Sequence, residues 1–214
     1  MTWHEIERSA LVSALTEVGP DAPTLCEGWR SRHLAAHVVL RETAPLVAAG
    51  IVVPPLAGRT ERAIDDLASS ATRADSYAQL VARIAAGAPR WNPMSWAAER
   101  ANLLEFFVHT EDVRRGAGLD TPRVLDADHA EALWQHLVHS ASRHYRRAPC
   151  GVVLVVPGGP RRAVRRTPRD GGTVVVRGEV GELALHAFGR GTAARVHVLG
   201  DPADVAALNR ATGA

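Results

Sequence analysis

Lysine is absent: every one of the 25 basic residues is arginine. That excludes a Schiff-base lysine nucleophile and a Walker A phosphate loop, both of which require the lysine amine. Cysteine is scarce. Cys26 and Cys150 lie far apart, too few for a disulfide framework, and two isolated thiols fit a reducing compartment. No stretch reaches the roughly 18 apolar residues of a membrane span. The start, Met1-Thr2-Trp3-His4-Glu5, lacks the basic and then apolar segments of a signal peptide. A soluble cytoplasmic protein is expected. The net charge is only +2, so bulk charge does not argue for a nucleic-acid or membrane partner.

What is present is a chain of 214 residues with 46% hydrophobic content, enough for one large core or two small ones. Its pattern changes near residue 148. Before that point apolar residues recur at helical spacing; after it come short β-branched runs separated by Gly and Pro. Trp3, Ile6, Ala10, Leu11, Leu15 and Val18 mark a first helix, stopped by Gly19-Pro20. Ser31 is the expected N-cap of a second helix running to about Ala49. A linker, Val52-Val53-Pro54-Pro55, precedes a third helix over roughly 60–86. Pro89 and Pro93 bracket a loop, and a fourth helix runs from about Ser95 to Arg115, ending at Gly116. A fifth covers about 127–146. The periodicity predicts a four-helix bundle over 1–148. Over 149–214 it predicts a small α+β domain with strands at 152–156, 163–166, 173–177 and 195–199. A short helix at 183–188 and a last one opened by Asp201-Pro202 complete it.

The fourth helix carries the chemistry. At about 100° per residue, Glu105, His109 and Asp112 fall on one stripe within roughly 60°. Apolar residues, Phe106 and Val113 on one side and Val108 on the other, flank that stripe. An inward carboxylate and imidazole need a partner, because an unpaired buried charge is costly. A divalent cation is one such partner, and a plain Glu–His hydrogen bond is the other. On the second helix His37 lies beside Leu34 and Val38, a second inward imidazole. Inward polar groups on two bundle helices favour a shared ion. His33, four residues before His37, is either a further ligand or an exposed first-turn residue.

The run Leu25-Cys26-Glu27-Gly28-Trp29-Arg30-Ser31-Arg32-His33-Leu34-Ala35-Ala36-His37 resembles a signature of the DinB-like superfamily, GW-x-x-x-D-L-x-x-H. Within it, the run is most similar to the mycothiol-dependent maleylpyruvate isomerase branch. Glu105 to Arg115 resembles that branch's second signature, and Gly181 to Arg190 with Gly200-Asp201 resembles its C-terminal domain. The resemblance implies an antiparallel four-helix bundle followed by a small α+β domain. It implies a divalent metal held by His37, Glu105 and His109, with zinc expected and nickel or iron as alternatives. It also implies mycothiol, a low-molecular-weight thiol, as cosubstrate for a small electrophilic substrate. The family usually has Asp where this chain has His33.

The function expected on these grounds is a metal-dependent isomerase or S-transferase. Three protein ligands leave an open position on a zinc-type ion, where a bound thiol is acidified. Asp112 is expected either to orient an imidazole or to pair with Arg115, and Arg190 either to bind a substrate carboxylate or to be a solvated helix-end residue. Cys26 is read as a structural thiol with no base nearby, and His136, His139 and His144 as solvated. Two other classes stand beside the enzyme: a non-catalytic metal or thiol-binding module, and a nucleic-acid binder using Arg143, Arg146, Arg147, Arg161, Arg162, Arg165, Arg166 and Arg169. The last is disfavoured because no aromatics interleave with those arginines.

Overall fold

The computed structural model describes residues 2–44, 55, 57–88, 98–169 and 171–213. Among the described residues there are eight helices and one four-stranded sheet. They form two compact units, Met1–Asp120 and Thr121–Ala214.

The first unit is helical: α1 (Trp3–Val18), α2 (Ser31–Thr43), α3 (Ala57–Ser70), α4 (Ala74–Ala86) and α5 (Ala98–Gly116). Helix α1 lies along α5, and α2 packs on α3 and α4. Leu11 and Leu15 of α1, Leu34 and Val38 of α2, Ile64 of α3, Leu80 and Ile84 of α4, and Phe106 and Val113 of α5 share one core. Each such side chain contributes roughly 1.5–3 kcal/mol by leaving water. The long third helix expected over 60–86 is two helices. The chain breaks at Ala71–Arg73, where the Ser70 hydroxyl donates back to the Leu67 carbonyl (2.7 Å) and Arg73 is extended as the cap of α4. Serines near helix ends compete for backbone groups in this way. The linker at 52–55 (except Pro55), the loop of Pro89 and Pro93, the last residues expected of α2 and the start expected for α5 lie outside the described residues.

Two termini differ from expectation in their chemistry. Ser31 is the first residue of α2 and not its cap; it is buried, and its hydroxyl donates to the Gly19 carbonyl. The cap position is Arg30, whose backbone N–H donates to Nδ1 of His33 (3.2 Å). Gly116 does close α5, for a reason of space: a Cβ there would stand 2.3 Å from Thr24 Cα and 2.6 Å from the Pro23 carbonyl. Only glycine lets the loop before α2 approach the helix so closely.

The second unit holds α6 (Ala127–His144), β1 (Gly151–Val155), β2 (Arg161–Arg165), β3 (Thr173–Arg177), α7 (Val180–Ala187), β4 (His197–Leu199) and α8 (Pro202–Thr212). The sheet order is β2-β1-β3-β4, with β1 parallel to β3 and both outer pairs antiparallel. Val152 and Leu154 of β1 and Val174 and Val176 of β3 alternate into the core. Helix α6 packs on α7 and β2. Its apolar stripe, Leu133, Leu137 and Ala141, is therefore buried within this unit, and the division falls after Asp120, ahead of the boundary expected at 148. Helix α7 starts at Val180, earlier than expected, with Gly181 inside its first turn. The Asp201 cap forms as expected, accepting from Ala203 N–H at 2.9 Å ahead of Pro202.

Candidate metal centre

One side-chain cluster joins α2 to α5. His37 Nε2 lies 3.6 Å from Glu105 Oε1, and His109 Nε2 lies 3.3 Å from the same oxygen. The two imidazole centroids are 5.2 Å apart and nearly edge to face. The three donor atoms all lie within 4.8 Å of one another. Tetrahedral ligands at about 2.0–2.1 Å from a zinc-type ion are separated by about 3.4 Å. The 3.3 and 3.6 Å spacings match that edge, and the donor set of two imidazoles and a carboxylate suits such an ion. The histidine side chains are 8% and 9% exposed, but that of Glu105 is 23% exposed, so the centre opens to solvent on the Glu105 side.

Both histidines are held by neighbours. His109 Nδ1 meets the Asp112 carboxylate at 2.9 Å, one helical turn on, which leaves Nε2 directed toward Glu105. An orienting role is one of the two alternatives expected for Asp112. Arg115, the other partner considered, donates from Nε to Glu111 (2.7 Å). The His37 ring packs against Trp29, with centroids 5.3 Å apart. Its buried Nδ1 has no hydrogen-bond partner among the described residues.

Trp29 and Cys26 arrive on the loop before α2. Leu25 N–H donates to the Asp112 carbonyl (3.0 Å), Trp29 N–H donates to the Cys26 carbonyl (3.0 Å), and Gly28 takes a left-handed φ of 74°. This turn, pinned to α5, sets the Cys26 sulfur 3.3 Å from Asp112 Oδ2. The thiol read from sequence as having no base nearby thus sits against a buried carboxylate and, with His109 and Asp112, forms a second trio of potential ligands. Nothing in the spacing of the chain connects residue 26 to residue 112. Arg41, one turn after His37, was equally invisible. Its Nε is 3.8 Å from Glu105 Oε1, and its Nη1 donates to Asn102 Oδ1 at 2.6 Å.

The electrostatics suit a cation. Burial alone raises the Glu105 pKa, but hydrogen bonds from His109 and His37 and the charge of Arg41 hold it well below the usual carboxylate range. Burial lowers the His37 pKa, against the pull of Glu105. Burial acts likewise on His109, where Asp112, Cys26 and Glu105 outweigh it and raise the pKa well above the ordinary value. An electron-rich pocket of this kind stabilises positive charge, whether a proton or a metal ion.

The remaining candidates have other contacts. His33 is taken up by the start of α2. Arg190 belongs to the second unit and donates from Nη1 to the Phe188 carbonyl (2.6 Å). His144 is not simply solvated, since its ring packs on Phe188 with centroids 4.2 Å apart. Arg161, Arg162, Arg166 and Arg169 are exposed on or after the edge strand β2.

Comparison with known proteins bears on the frame around this centre. Residues 3–103 match the family described as the mycothiol maleylpyruvate isomerase N-terminal domain, a span that includes His37 and stops short of Glu105. Among solved structures the chain is similar to a histidine-to-alanine mutant of the mycothiol-dependent maleylpyruvate isomerase (TM-score 0.61). It is also similar to the mycothiol-dependent maleylpyruvate isomerase (TM-score 0.52). Both are 18% identical, over 92% of this chain and 90% of theirs. At that identity the likeness shows a shared fold. No curated protein matches the chain.

Proposed function

We propose, from the match of residues 3–103 to the mycothiol maleylpyruvate isomerase N-terminal domain family and from the fold shared with that isomerase, that this protein is a metal-dependent enzyme of the thiol-dependent isomerase or S-transferase type. Its divalent ion is held by His37 Nε2, the Glu105 carboxylate and His109 Nε2, with Asp112 orienting His109. The observation that carries the reading is the convergence of those three donors at ligand-edge spacing. A divalent ion held there would acidify a thiol or water brought to it. The cosubstrate thiol is a small one such as mycothiol, and the substrate is a small electrophile reaching the centre from the Glu105 side.

The chain's own residues do the rest. Glu105 would offer charge and His37 and His109 their Nε2 nitrogens, His109 on releasing the proton that its surroundings favour, while Asp112 keeps the Nδ1 proton of His109. No described helix is long and apolar enough to cross a membrane.

Elemental analysis of the purified protein tests the reading. About one equivalent of metal is expected, lost in His37→Ala and in His109→Ala while circular dichroism shows the helices intact. Metal retention without turnover of any thiol–electrophile pair would identify a binding module instead. A wild-type protein that takes up no zinc, nickel or iron would reduce the trio to a polar core network.

A further inference from the structure

We propose that the arginine-rich end of the second unit is a docking surface for the phosphate backbone of double-stranded nucleic acid, bound without reading its bases. The inference is independent of the metal reading and concerns residues of Thr121–Ala214 alone.

The net charge of +2 conceals a segregation. The first unit carries 12 arginines against 15 carboxylates and the second 13 against 8, so they stand at −3 and +5. Use of arginine in place of lysine changes neither figure. Such asymmetry between parts of a chain points to a polyanionic partner. Within the second unit the charge is concentrated further: residues 143–169 hold eight arginines and no Asp or Glu.

The fold gathers these arginines. Arg143 lies in the last turn of α6, and Arg146 and Arg147 follow it closely. Strand β2 carries Arg161, Arg162 and Arg165, with Arg166 next in the chain. The β1–β2 hairpin sets Arg165 opposite Val152, a few residues after Arg147. The loop beyond β2 turns to the same place. A Cβ on Gly151 would stand 2.5 Å from the Thr167 hydroxyl, and one on Gly171 3.0 Å from the Pro149 carbonyl, with Arg169 between those two contacts in the chain. Arg161 and Arg162 extend the patch by about 13 Å along the outer strand. Seven of the eight arginines are exposed; Arg165 is half-buried, and its Nε is enclosed without a hydrogen-bond partner among the described residues. None of the eight forms an ion pair among the described residues. Asp204 comes near, its carbonyl 3.9 Å from the Cys150 sulfur, but pairs with none of them. Arg146 has an ordinary local task, donating to the Arg143 carbonyl (3.2 Å) at the helix end. Arginines on an edge strand also discourage strand pairing, a task that needs neither those of α6 nor Arg169.

The chemistry of the patch selects its partner. Guanidinium forks match phosphate oxygens, and clustered unpaired arginines bind a polyphosphate by releasing its counterions. An elongated patch fits a repeating polyanion better than a single small one. Tyr145 is the only Phe, Tyr or Trp within 143–169 and is fully buried, which leaves no platform for stacking unpaired bases. The duplex backbone is therefore the form recognised. A membrane surface would call for apolar side chains at the patch. The exposed large apolar residues of this unit lie elsewhere: Val124 precedes α6, and Leu199 is on β4, the outer strand opposite β2.

The test is fluorescence anisotropy of a labelled DNA duplex of arbitrary sequence, about 20 base pairs long, titrated with the full chain at about 50 and about 200 mM NaCl. Contact with about four phosphates predicts that the wild type loses affinity about a hundredfold across that range. Arg161→Gln/Arg162→Gln/Arg166→Gln/Arg169→Gln should bind at least about tenfold more weakly at the lower salt, with a salt slope shallower by about 3. The matching first-unit set of exposed arginines, Arg59→Gln/Arg62→Gln/Arg73→Gln/Arg83→Gln, should stay within about threefold of wild type. Equal losses in the two variants would reduce the effect to bulk charge and overturn the proposal. So would a wild type that binds no duplex at the lower salt, or one that binds vesicles of phosphatidylserine and phosphatidylcholine more tightly than duplex. If circular dichroism shows the patch variant misfolded, Arg161→Gln/Arg162→Gln at the exposed hairpin decides. Its slope should be shallower by about 2, and an unchanged slope overturns the proposal.

Discussion

Asp112 is completely buried and accepts from the His109 ring at 2.9 Å, and it shows how one side chain sets the quality of another. A carboxylate behind a ligating imidazole fixes its tautomer and raises its basicity. Asp112→Asn keeps the shape and removes the charge. Zinc affinity is expected to fall by about 10–100-fold with helix content unchanged, measured by chelator competition; an unaltered affinity would show that Asp112 serves packing alone. His33 offers the opposite lesson. Its Nδ1 accepts the Arg30 N–H at the start of α2, a task that a side-chain carboxylate three residues into a helix also performs. His33→Ala should therefore cost about 1 kcal/mol in denaturant unfolding and leave metal content intact, and His33→Asp should restore the stability, helped by the helix dipole. Loss of metal in His33→Ala would instead make His33 a ligand.

At the scale of elements, the centre depends on how the loop before α2 is clamped to α5. Gly116 permits that clamp, since any Cβ there meets Thr24 Cα and the Pro23 carbonyl at 2.3 and 2.6 Å, both main-chain atoms with little freedom to yield. Gly116→Ala is expected to lower stability by about 1–3 kcal/mol. Because the same loop carries Cys26 and Trp29 to the histidines, it should weaken zinc binding too. A thermal melt paired with a zinc titration checks both; a shifted melting temperature with unchanged zinc affinity would mean the loop's position does not matter to the centre. The split of the expected third helix into α3 and α4 belongs to this scale as well. Apolar periodicity continues across Ala71, but the Ser70 back-bond and the extended Arg73 end one helix and start another. Periodicity reports which face is buried, and it does not register a turn that preserves the face.

Across the whole molecule the two units carry different liabilities. The candidate metal centre lies in the first. In the second, His186 is 1% exposed, its Nδ1 is 2.9 Å from the Tyr145 hydroxyl, and burial pushes its pKa down to about 4. An unfolded histidine titrates near about 6.5. Above that pH neither state holds the proton and His186 has no effect. As pH falls from about 6.5 toward about 4 the unfolded chain takes up a proton that the folded chain refuses, so stability drops; below about 4 the loss is complete, on the order of 3 kcal/mol. Urea unfolding at pH 7 and pH 5 should show roughly 2 kcal/mol lost by pH 5, with the difference reduced in His186→Gln. A variant that retains the full difference would place the acid sensitivity in other groups.

The bundle, the small α+β part and the stripe of Glu105, His109 and Asp112 were legible in the sequence because each rests on local physics. Hydrophobic period, glycine and proline breaks and the angular step of a helix act over a few residues, and a chain records them directly. The same locality made His37 recognisable as inward-facing. Apart from the grouping of His37 with Glu105 and His109, expected from two inward-facing helices and from the family resemblance, the sequence left pairings between distant segments open. The Cys26 sulfur against Asp112, Trp29 against His37, Arg41 against Glu105, and the membership of α6 in the second unit are decided by which faces meet when the helices pack. Those choices lower the free energy of the whole core, and no local pattern encodes them: residues 37 and 105 become neighbours only because burying Leu34, Val38, Phe106 and Val113 in one core brings their helices together.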